Sequence, residues 1–143
     1  MTDLDYMKIA INNAKKAYDL DEVPIGCVIV RDNVIISSTY NRKEIDNIAT
    51  YHAEILAINE ACSKLNTWHL EDCVLYTTVE PCMMCMGAIK QARISRVVYG
   101  VDNYAFGYLR KLEDGKLVVK KGILKEECLE LLSNFFKSKR KGE

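Results

Sequence analysis

Proline is scarce in this sequence, 2 residues in 143, and no apolar run approaches the ~18 residues that would cross a bilayer. With 49% hydrophobic and 28% charged residues, that scarcity excludes a disordered or low-complexity chain. An excess of charge is also missing. The 20 Lys and Arg balance the 20 Asp and Glu, which argues against a globally basic nucleic-acid binder while leaving room for a local patch. The amino terminus has Asp3 and Asp5 where a secretory signal places positive charge, so no membrane association and a cytoplasmic location are expected. No internal repeat and no linker interrupts the chain. Residues 1–143 read as a single domain, long enough to bury roughly 68% of its unfolded surface.

What is present is an alternation of helical and strand patterns. Leu4, Met7, Ile11, Ala14 and Tyr18 recur at helical intervals behind Thr2 or Asp3 as N-cap. "IGCVIVRDNVIIS" reads as two β-branched strands joined antiparallel at Asp32 and Asn33. Residues 41–51 have no period and are predicted to be a loop. Ile55, Ile58 and Cys62 mark the next helix, followed by strand "CVLYTTV", helix "CMMCMGAIKQA" and strand "RVVYG". Such alternation predicts parallel pairing through right-handed crossovers. "KLVVKKG" supplies a last strand, and Leu124, Cys128, Leu131, Leu132 and Phe135 form the apolar side of a final helix. The predicted fold is α/β, a three-layer α/β/α arrangement with a five-stranded mixed sheet. Cys27, Cys62 and Cys128 fall on apolar faces and are expected to be buried packing residues.

Six cysteines in a reducing compartment are poor disulfide candidates, so a close pair points to metal or redox chemistry. "TYHAEIL" and "VEPCMMC" contain such a set. Cys82 and Cys85 stand three apart at a helix start, where free N–H groups and the helix dipole favour thiolate. Pro81 suits the helix entrance because its missing donor costs nothing there. With His52 as third ligand, one imidazole and two thiolates suit zinc better than magnesium or calcium. Glu54 follows His52 by two positions, about 200° around an ideal helix, so both cannot ligate one ion from a regular face. Glu54 is therefore expected to be a free carboxylate beside a three-ligand zinc whose fourth position is open to water. A structural site would need a fourth ligand, for which Cys73 and His69 are the nearest candidates. H-x-E followed by P-C-x-x-C is a signature of zinc nucleobase deaminases.

On these motifs, and on "EVPIGCVIV", "RISRVVYG" and "GILKEECLELLSNFFKSKRK", the chain resembles the bacterial tRNA adenosine deaminases within the cytidine deaminase-like superfamily. The resemblance implies one Zn2+ per chain held by His52, Cys82 and Cys85, and Glu54 as proton shuttle. It further implies Asn41 as a substrate contact, backbone around Ala53 and Pro81 in the pocket wall, a homodimer, and wobble adenosine in the tRNA anticodon loop as substrate. Departures lie at the pocket mouth. Ile48, Ala49, Thr50 and Tyr51 replace the family's usual residues before the histidine, and the 101–115 segment is shorter, with Asn103 near an expected aspartate and Ala105 where lysine is common.

Two other readings stand beside this one. A shortened loop suits a free nucleobase or nucleoside such as guanine, cytosine or cytidine, and a non-catalytic zinc-stabilised RNA-binding subunit would use the same ligands without Glu54. Lys137, Lys139, Arg140 and Lys141 form a basic carboxyl-terminal cluster. Tyr104, Phe106 and Tyr108 are candidates for stacking on bases or for packing.

Overall fold

The structure, a computed structural model, describes residues 1–103 and 117–141. Helix α1 (Asp3–Asp19) begins at a capping box, in which the Thr2 hydroxyl accepts from the Asp5 amide and the Asp5 carboxylate accepts from the Thr2 amide. Its interior face holds Met7, Ile11 and Ala14 of the predicted stripe together with Tyr6, Ala10 and Ala17, whereas Leu4 is 44% exposed and Tyr18 only partly buried. The alanines on that face have a steric cause. A Cβ at Gly26 would overlap the carbonyl oxygen of Ala10, so helix and sheet touch backbone to backbone and the contact face must be small.

Strands β1 (Gly26–Arg31) and β2 (Val34–Tyr40) form an antiparallel hairpin. Asp32 and Asn33 both take left-handed φ, 50° and 62°, as a tight two-residue turn demands. Residues 41–51 are not all loop: α2 (Lys43–Asp46) makes one turn there. It buries no residue, so no apolar period marked it in the sequence. Helix α3 (Ala53–Leu65) leads to β3 (Cys73–Val79), then α4 (Met83–Gln91), β4 (Arg96–Val101), β5 (Val118–Lys120) and α5 (Lys125–Lys141). Leu124 precedes α5 with a left-handed φ of 56°.

The sheet runs β2-β1-β3-β4-β5. β1 is antiparallel to both its neighbours, whereas β3, β4 and β5 are mutually parallel. Strand side chains alternate between two cores. Cys27, Ile29, Leu75, Val97 and Tyr99 meet α3 and α4, while Val28, Val30, Tyr76 and Val98 meet α1 and Cys128 of α5. Cys27 and Cys128 are buried, but Cys62 is only partly so, because α3 turns Ala53, Ala57, Ile58 and Ala61 inward instead. Helices on both faces of five strands make three layers.

One polar cluster ties α1 to the sheet. The Asp3 carboxylate accepts from both terminal nitrogens of Arg96 (2.9 and 2.7 Å), from the Tyr76 hydroxyl (2.6 Å) and from Lys120 Nζ (3.3 Å). Arg96 above all, helped by Tyr76 and Lys120, holds the Asp3 carboxyl well below the usual carboxylate range against the opposing effect of burial. A depressed folded value contributes stability that is complete above the ordinary unfolded value near 4 and is lost as pH falls through the folded one. Asp3→Asn is therefore expected to lower unfolding free energy by about 1–3 kcal/mol at neutral pH. In urea titrations the gap between variant and wild type should shrink progressively below about pH 4.

Candidate metal centre and substrate cavity

Because β1 runs against β3, the start of β1 and the ends of β2, β3 and β4 meet at one edge of the sheet. Ligand sites in open α/β sheets form at such carboxyl edges. Here the edge is also where α3 and α4 begin. His52 is the N-cap of α3 and Cys82 the N-cap of α4, and neither side chain is spent on capping, so both are free to face the gap. Cys85, one turn into α4, is buried.

The structure brings His52, Cys82 and Cys85 together, with their ligand atoms all within 4.8 Å of one another. His52 Nδ1 lies 3.7 Å from Cys82 Sγ and 3.6 Å from Cys85 Sγ. Zinc bonds of about 2.3 Å to sulfur and 2.1 Å to nitrogen, placed tetrahedrally, separate their ligand atoms by roughly 3.6 Å. The donor set and its spacing therefore fit zinc. Neither candidate fourth ligand approaches. His69 Nδ1 is 3.0 Å from Glu71 Oε1, and Cys73 starts β3 at the far end of the strand.

Glu54 is 3% exposed, and its Oε1 has no hydrogen-bond partner among the described residues. Burial pushes its carboxyl up to about 7, reinforced by the Cys82 charge. Hydrogen bonding from Cys85, then from His52, brings the Cys82 thiol down to about 4, and the Cys85 thiol is raised in return. His52 is raised mainly by its contact with Cys82. A thiolate is thus favoured where a soft metal would sit, and a carboxyl able to change protonation near neutrality stands beside it.

A cavity of about 580 Å³ opens from this cluster. Val23, Ile25, Asn41 and Lys43 form one wall, with His52, Glu54 and Cys82 at the base. The other wall is α5, whose Leu129, Leu132, Phe136, Lys137 and Arg140 share one helical face. Asn41 is buried in the wall, donating its side-chain amide to Val23 O (3.4 Å) and its backbone amide to Ile25 O (3.0 Å). Ala53 and Pro81 are buried, and the cavity is lined by their neighbours His52, Glu54, Glu80 and Cys82. Asn103 also lines it, its backbone amide donating to Glu80 Oε1 (3.0 Å).

The basic cluster divides. Lys137 and Arg140 face the cavity, whereas Lys139 pairs with Asp21 and lies over the Phe135 ring. Tyr104, Ala105, Phe106 and Tyr108 lie outside the described residues. Sequence reasoning did not find Lys43 or the buried Glu22 beneath it. A repeat at positions 129, 132, 136 and 140 marks one side of α5 in the sequence, but not what that side meets.

The sequence pattern of the MafB19-like deaminase family matches residues 1–140. A tRNA-specific adenosine deaminase of Bacillus subtilis (strain 168) is 42% identical over 144 residues, 95% of this chain and 89% of that protein. Another, from Streptococcus pyogenes serotype M1, is 40% identical over 94% of this chain and 84% of its own length. A solved structure from a study of A-to-I editing by tRNA:A34 deaminases at the wobble position of transfer RNA superimposes with a TM-score of 0.85. It is 36% identical, over 90% of this chain and 99% of that one.

Proposed function

We propose wobble-position adenosine in tRNA as the substrate of this chain, which belongs to the MafB19-like deaminase family and, by identity along nearly its whole length, to the tRNA-specific adenosine deaminases. The reaction is hydrolytic. Water adds at C6 of the adenine, the exocyclic amine leaves as ammonia, and inosine remains.

His52, Cys82 and Cys85 would hold one zinc ion per chain. Zinc bound there supplies the Lewis acidity that makes a water nucleophilic near neutral pH. Glu54 takes a proton from the attacking water and delivers it to the ring nitrogen and then to the departing amine. Its burial serves this role, since removal from water raises the carboxyl above the ordinary carboxylate range and makes it readier to hold a proton between the two transfers. Asn41 offers its side chain to the substrate, and Val23 and Ile25 give the base an apolar face.

The observation that carries the tRNA reading is the continuity of the cavity from Glu54 to Phe136, Lys137 and Arg140. A free base would fill only the inner part. An RNA strand continues outward, where Phe136, 45% exposed, can stack on a flanking base and the two cations can meet phosphates. Bases of an anticodon loop are already partly unstacked, which lowers the cost of drawing one in. The same reading places the enzyme in the cytoplasm as a homodimer, and no described helix is long and apolar enough to cross a membrane.

The test is mass detection of inosine in tRNA incubated with the protein, with Glu54→Ala as the blank. Inosine at the first anticodon position is the expected result. Ammonia from guanine, cytosine or cytidine, with no inosine in several arginine tRNA transcripts, would transfer the activity to a free base.

A further inference from the structure

We infer that Glu22 is a positioning residue for the substrate cavity: it clamps α2 from below and so sets where Asn41 and Lys43 stand, which makes it a determinant of substrate affinity. The inference rests on the cavity being the substrate site proposed above.

Glu22 lies between α1 and β1 and is 1% exposed, an uncommon place for a carboxylate. Its Oε1 accepts from the Glu44 amide (3.1 Å) and its Oε2 from the Ile45 amide (2.6 Å). Both oxygens are thus committed to the first turn of α2. That helix needs outside support, since one turn is far too short to hold itself and its own N-cap, Arg42, makes no side-chain capping bond. Glu22 is in turn anchored by its amide, which donates to Ala17 O at the end of α1 (2.9 Å).

The clamp reaches the cavity through short links. Asn41 immediately precedes the clamped turn, and the Lys43 amide donates to Asn41 Oδ1 (3.4 Å). The Arg42 amide donates to Tyr51 O (3.1 Å), the residue before His52. Lys43 is exposed and lines the cavity, and its ammonium has no ion-pair partner among the described residues. It lines the same cavity as Lys137 and Arg140, so the clamped turn adds a third cation to the surface that a nucleotide strand would meet. Burying a carboxylate for two backbone bonds is costly if stability is the only return. Placing a substrate-facing wall is a use that repays it.

The variants that test this are Glu22→Gln and Glu22→Asp. In Gln the amide nitrogen replaces one acceptor and opposes a backbone N–H, breaking half the clamp, whereas Asp keeps the charge on a shorter arm. On an anticodon stem-loop RNA, Glu22→Gln is expected to raise KM about tenfold or more with kcat changed less than about threefold. Glu22→Asp should fall between it and wild type. Hydrogen exchange at the Glu44 and Ile45 amides should accelerate about tenfold or more in Glu22→Gln, with α3 protection and zinc content unchanged. Asp3→Asn serves as the control, losing stability without a change in KM. A KM within twofold of wild type, or unchanged exchange at both amides, would overturn the clamp. If wild type leaves the RNA untouched, the tRNA reading fails, and amide exchange still decides whether Glu22 holds α2.

Discussion

Glu54→Gln is expected to lower deamination by between about 10²- and 10⁴-fold while leaving zinc content near one per chain. The substitution keeps the shape of a side chain that is almost wholly buried, so the cavity should not collapse. What it removes is the buried carboxylate that stands beside the His52, Cys82 and Cys85 cluster and that the proposed reaction uses to take up a proton and give it back. A neutral amide also escapes the desolvation that burial imposes on the charged carboxylate. The variant should therefore melt at the same temperature or higher, the pattern expected where a group is kept for chemistry at some cost in stability. Single-turnover inosine formation, zinc analysis and thermal melting together check this. Retention of more than a tenth of wild-type activity would remove Glu54 from the proton path.

Cys85→Ser is expected to abolish metal binding, taking zinc from about one per chain to below about a tenth, with at least a ~10³-fold loss of activity. A buried hydroxyl cannot replace a thiolate, and the remaining His52 and Cys82 cannot hold the ion alone. Metal binding should also be visible as stability, because the three donors converge only in the folded chain. A strong chelator should lower the melting temperature of wild type by roughly 5 °C and leave that of Cys85→Ser unchanged. Cys128→Ser supplies the comparison. Cys128 is equally buried but packs in the opposite core, so that variant should lose stability and keep its zinc. Full zinc occupancy in Cys85→Ser would mean that the ligand set is wrong.

The elements read most easily from the sequence were those whose signals are local. Asp32 and Asn33 announce the hairpin because few other residues accept two successive left-handed conformations. Thr2 and Asp5 announce the start of α1 because both halves of the capping box lie within one turn. α2 was missed for the converse reason: nothing in its four residues is apolar and buried, and its support comes from a carboxylate more than twenty positions earlier. The inner faces of α1 and α3 were legible in part: Met7, Ile11, Ala14 and Ile58 point inward as their spacing predicts. Alanines join them where Leu4, Ile55 and Cys62 were expected, and in α1 the reason is the close approach of the helix to Gly26, which no local pattern shows.

The functional groups divide along the same line. By itself the sequence determined the donor types, their separations and the two helix starts that carry them, since these are properties of short stretches of chain. Only the tertiary structure decided that the three donors meet, that Glu54 loses its water, and that the apolar and basic stripe of α5 closes the cavity. Convergence and desolvation depend on neighbours from distant parts of the chain. The order in which β1 and β3 pair, and the edge of the sheet at which that pairing places them, brings those neighbours together.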